Sequence, residues 1–169
     1  MADPHIKSEM DWFDYISVIL YRLGFVLAAP SVALLPWQSA YPARELCFVA
    51  AAMCASSLHI YIKSFRLTLQ GACWVGLVCA MLGYPMIGLG GAFITLGGLC
   101  FKEYFCFKVP GLPLQPLLLA GLWFALALGA LPVAQILAAL SALLFFIVSI
   151  AKWRMPLHFD IGDKSKYEI

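Results

Sequence analysis

The chain has 169 residues, 63% of them hydrophobic and 12% charged, with a formal net charge of +2. Soluble domains carry roughly a quarter charged residues. A chain this size could not hide so much apolar surface from water, so lipid is the expected solvent for most of it. So small a net charge gives no reason to expect a nucleic-acid partner.

Residues 1–14 carry Asp3, Glu9, Asp11 and Asp14 without the basic start and small-residue cleavage site of a secretory signal. They read as a cytosolic lead, with Trp12, Phe13 and Tyr15 at the interface. A transmembrane domain over 15–151 follows, with spans expected at about 15–35, 45–62, 67–82, 86–107, 117–128 and 133–150. Pro30 is expected to kink the first span, and Trp37 and Tyr41 to belt the first external loop. Gly83-Tyr84-Pro85 and Gly129 to Pro132 read as tight turns, and Pro110, Pro113 and Pro116 break the chain before the fifth span. Residues 152–169 read as a polar cytosolic tail.

Six spans would put Lys7, Lys63, Arg66, Lys102, Lys108, Lys152, Arg154, Lys164 and Lys166 on one side, with Arg44 alone opposite. Basic residues resist translocation, so both termini are expected in the cytosol. The fold class is therefore all-α, a six-transmembrane-helix bundle. Three hairpin repeats are a further expectation. Leu67-Thr-Leu-Gln70 recurs as Leu112-Pro-Leu-Gln115, and Gly76/Gly121 and Ala80/Ala125 keep the same offset of 45. Such repeats would be parallel, related by an axis along the membrane normal.

Helices in lipid associate through small residues. Ala72, Gly76 and Ala80 form one such stripe, Gly88 and Ala92 with two glycine pairs another, and Gly121, Ala125 and Gly129 a third. Neither a phosphate-binding loop nor a dinucleotide fingerprint occurs in a strand-to-helix context.

The costly polar groups are few. Arg22 lies about two turns inside the first span. Either it snorkels to headgroups, or it pairs with Glu103, at similar depth in the fourth span. Together with Lys102 these residues form a candidate intramembrane polar site. His59, about one turn from the end of the second span, reads as an interfacial hydrogen-bonder, and haem would want a second axial ligand. Cys100 and Cys106 flank the Lys102–Glu103 pair and are the best redox or ligand candidates, with packing as the simpler reading. No soft-ligand set of four is local to them. No nucleophile–base–orienter set can be assembled, and neither a metal nor a cofactor is expected.

Leu99-Cys-Phe-Lys-Glu-Tyr-Phe-Cys-Phe-Lys108, with the tail Pro156-Leu-His-Phe-Asp-Ile-Gly-Asp-Lys-Ser-Lys-Tyr-Glu168 and Tyr21-Arg22-Leu-Gly24, resembles a family of uncharacterised bacterial integral membrane proteins. The family is common in cyanobacteria and some proteobacteria. The resemblance implies a small polytopic protein of the bacterial inner membrane, or of the thylakoid in a cyanobacterium, and supplies no activity or catalytic residue.

Two functions follow. The first is a non-enzymatic scaffold or assembly partner, held in the lipid bilayer with a membrane-protein partner or as a homo-oligomer. It should bury Arg22 and Glu103 as a pair and leave small-residue stripes facing lipid. The second is a small transporter or membrane enzyme working through Arg22, Lys102 and Glu103. It should show a water-accessible cavity reaching them.

Overall fold

The computed structural model describes residues 9–37 and 42–167. The expectations for Tyr41, Asp3 and Lys7 fall outside those residues. Among the described residues the regular structure is entirely helical: α1 (Trp12–Leu34), α2 (Ala43–Ser56), α3 (Lys63–Met81), α4 (Pro85–Phe107), α5 (Gln115–Ala127), α6 (Leu131–Trp153) and a one-turn α7 (His158–Ile161). Short 3-10 turns at Leu112–Leu114 and Lys164–Lys166 complete it.

Local chemistry explains where the helices begin and stop. Asp11 and Asp14 cap α1 reciprocally: each carboxylate accepts the other's backbone N–H at 2.9 Å. Pro85, Pro116 and Pro132 sit in the first turns of α4, α5 and α6, where a missing N–H costs nothing. The α3–α4 and α5–α6 turns share one form. Gly83 (φ 92°) and Gly129 (φ 70°) are left-handed, and the next residues, Tyr84 and Ala130, bond back to Cys79 and Ala125 at 2.9 and 2.8 Å. These are matching Schellman closures, which L side chains resist at the glycine. The likeness of the two segments is weaker in packing. Gln70 donates to the Ala55 carbonyl of the preceding hairpin, whereas Gln115 donates to Ser141 within its own.

α1, α3, α4 and α6 are long and apolar enough to cross a membrane. The 14-residue α2 and 13-residue α5 rise only about 21 and 20 Å, short of a hydrocarbon core of about 30 Å. The second helix thus ends six residues earlier than expected. Residues 57–62 leave the helix, and His59 belongs to this connector.

α1 packs on α2 and α6, α4 on α2, α3 and α5, and α5 on α6. Phe25, Leu96, Leu99, Leu122, Phe145 and Val148 are fully buried in the core. Val75, Leu117, Ile136 and Phe146 are more than half exposed, so the outer faces of α3, α5 and α6 present large apolar side chains. The third- and fourth-helix stripes are spent on each other. A Cβ added at Gly91 would strike the Ala72 carbonyl and the Gly76 Cα, and one at Gly88 the Ala80 side chain. The Thr95 hydroxyl stitches the same crossing, in reach of the Leu69 carbonyl at 2.9 Å and the Gly91 carbonyl at 3.0 Å.

Candidate functional site

At the end of the bundle where α4 and α6 finish, five ionisable side chains from α1, α4, α6 and the tail meet. Arg22, Glu103 and Lys152 are each 2% exposed or less. Charges this deep persist only when paired and hydrogen-bonded. Glu103 is fully engaged. Its Oε1 accepts from the Tyr21 hydroxyl at 2.7 Å and from Lys102 at 3.1 Å, and its Oε2 from Lys152 at 3.0 Å. Lys152 also donates to Asp160, and its ammonium lies 4.7 Å from the centre of the Tyr21 ring.

Arg22 pairs with Asp160 and not with Glu103. Its Nε donates to Asp160 Oδ2 at 2.6 Å, and its other nitrogens donate to the carbonyls of Met155 and Pro156 at 2.8 and 3.0 Å. Both expectations for this residue are thus corrected. Arg22 does not snorkel, because carbonyls just beyond α6 and a tail carboxylate satisfy it inside the protein. The charge order is Lys102, Glu103, Lys152, Asp160, Arg22, so the two residues expected to touch sit at opposite sides of Lys152.

The tail is therefore part of the bundle. Past the end of α6, α7 carries Asp160 back to Lys152 and Arg22 in the ion cluster, and Ile161 is buried. The Tyr61 hydroxyl accepts from the Asp163 N–H at 2.7 Å, and the Tyr61 and Tyr167 rings meet edge to face at 5.0 Å. Lys164 reaches Asp14 at the surface. The carboxylate, backbone and ring contacts together hold one short segment against the bundle.

The remaining candidates separate. Cys100 is buried and Cys106 exposed, six residues or about 9 Å of rise apart on α4. They do not share an environment. His59 Nε2 lies 3.2 Å from the Ser17 hydroxyl.

A cavity of about 710 Å3 opens onto the cluster. Lys102, Glu103, Lys152 and Asp160 form its polar floor, with His59 at one side. Phe65, Phe101, Phe105, Phe107 and Phe159 supply apolar walls. Phe101 and Phe105 are nearly half exposed, so this wall is continuous with the outer face of α4. Arg22 does not line the cavity and lies behind Asp160. A second furrow of about 800 Å3 between α1 and α6 is apolar apart from Ser149 and Arg154 at its end.

Lys152 and Asp160 are not legible as site residues in the sequence. The lysine reads there as an orientation charge and the aspartate as part of a polar tail. One signal pointed to the aspartate: Asp-Ile-Gly-Asp is among the segments that carried the family resemblance.

Residues 82–169 match the model of a family described as "Uncharacterized integral membrane protein (DUF2301)". An uncharacterized protein of Haemophilus influenzae is 57% identical over 171 aligned residues, spanning the whole of both chains. No solved structure matches the chain.

Proposed function

Since the chain belongs to the uncharacterized integral membrane protein family, we propose that its function is exercised within the bilayer, as the binding or transfer of a membrane amphiphile. One observation carries this: an aromatic-walled cavity whose floor is a paired ion cluster. Pockets that combine apolar walls with a few convergent polar groups are the ordinary form of a ligand site. An amphiphile suits both parts, with its chain against the phenylalanines and its head on the floor.

The setting is a six-crossing bundle in the bacterial inner membrane, both termini in the cytosol. The basic residues gathered at the end of the helices that holds the cavity support that orientation. α2 and α5 complete the crossings with the irregular segments that flank them. The floor then lies at the cytosolic leaflet, and ligand enters sideways past Phe101 and Phe105. This reading asks for no bond-breaking step, so an enzymatic role is secondary.

The scaffold reading has weaker support. It needs small-residue stripes facing lipid, yet the stripes of α3 and α4 are used against each other. A partner or a second copy would have to dock on the larger apolar side chains.

Photolabelling tests the proposal. A long-chain alkyl diazirine supplied to membranes should attach to peptides containing Phe101, Phe105 or Phe159, and excess unlabelled amphiphile should compete it away. Labelling spread evenly over the outward residues of α3, α5 and α6 would refute the reading.

A further inference from the structure

On the reading just given, we propose that the ligand is an anionic amphiphile, a single carboxylate or phosphate head on an apolar chain, and that Lys102 is the residue that holds the head. Each carboxylate oxygen of the floor already accepts from a cation or hydroxyl: Glu103 from Tyr21, Lys102 and Lys152, and Asp160 from Lys152 and Arg22. About three of the four lone-pair sites on each carboxylate are thus used, and the larger share of free capacity lies with a donor. Lys152 is locked between two carboxylates and is 2% exposed. Lys102 makes one hydrogen bond to Glu103, keeps a side chain 24% exposed and lines the cavity. An ammonium has three N–H groups, so among the described residues two are left to face the cavity.

Charge points the same way. Lys102, Lys152 and Arg22 against Glu103 and Asp160 leave one positive charge in the cluster. A monoanion entering beside Lys102 neutralises it; a cation would raise the repulsion and meet no unengaged carboxylate. The Tyr21 ring, 5.3 Å from the Lys102 ammonium, braces the lysine from the side. The phenylalanine walls then exclude water from the pair, which strengthens a charge-assisted hydrogen bond.

The test is a headgroup series on the full chain purified in a neutral maltoside detergent. Oleate, oleoyl lysophosphatidate, oleyl alcohol, oleylamine and inorganic phosphate are titrated by calorimetry against wild type, Lys102→Gln and Lys102→Arg. Oleate or oleoyl lysophosphatidate should bind at least about tenfold more tightly than oleyl alcohol, the size expected for a hydrogen bond between charged groups. Which of the two binds more tightly distinguishes a fatty acid from a phospholipid head, and weak binding of inorganic phosphate alone would show that the chain is required. Lys102→Gln should remove the preference for the anions, and Lys102→Arg should restore it. Equal binding of oleyl alcohol or oleylamine would overturn the anionic assignment and leave the amphiphile reading standing. If no oleyl compound binds, both fail. Should Lys102→Gln not fold, the headgroup order on wild type decides alone.

Discussion

Replacing Asp160 with asparagine takes one negative charge from a site that holds three cations. The carboxylate accepts from Arg22 Nε and Nη2 on one oxygen and from Lys152 on the other, at 7% side-chain exposure. Removing one partner of a buried ion pair costs about 3–5 kcal/mol. Asparagine keeps the volume and one acceptor, so about 3 kcal/mol is the expected loss. The helices keep the Glu103–Lys152 bond in the variant, so the opening should be local to the tail. At 1.36 kcal/mol per decade, that loss is about a hundredfold rise in the open population. Hydrogen-exchange mass spectrometry on the peptide covering 156–167 reads this directly, since the Gly162 N–H is protected by the His158 carbonyl at 3.2 Å. Lys164→Ala, which breaks the exposed pair with Asp14, is the control and should change exchange less than about fivefold. If Asp160→Asn left exchange within about threefold of wild type, the buried carboxylate would not be what docks the tail.

Other perturbations follow from the same contacts. Tyr21→Phe deletes the hydroxyl bond to Glu103 and should cost about 1.5–3 kcal/mol in mixed-detergent unfolding; a loss below about 0.5 kcal/mol would contradict the bond's role. Gly91→Val pushes a side chain into Ala72 and Gly76 and should cost at least about 1–3 kcal/mol, whereas Gly71→Ala meets nothing within 4 Å and should be neutral or stabilising.

Lipid as solvent makes some features easy to read from sequence and hides others. The helices announce themselves because each must satisfy its own backbone, and the glycine turns at Gly83 and Gly129 because only glycine suits that conformation. The close stripe of α3 on α4 was visible as spacing. Arg22 and Glu103 were visible as costs, but their partners were not. Lys152 looked like an orientation charge at a helix end, and Asp160 like part of a hydrated tail. Both are buried by contacts among α1, α4, α6 and the tail, which is tertiary information. The short second helix is hidden for a related reason. Leu58, Ile60 and Ile62 are apolar enough to prolong a span, yet Ser57 and the connector leave the helix and bring His59 to Ser17.

The most direct test is native mass spectrometry of the protein taken from its own membrane, compared with Lys102→Gln prepared alongside. An anionic amphiphile retained one per chain on wild type, and lost from the variant while neutral lipid adducts persist, is the predicted result. Identical adducts on both proteins, in the proportions of the bulk membrane, would contradict it.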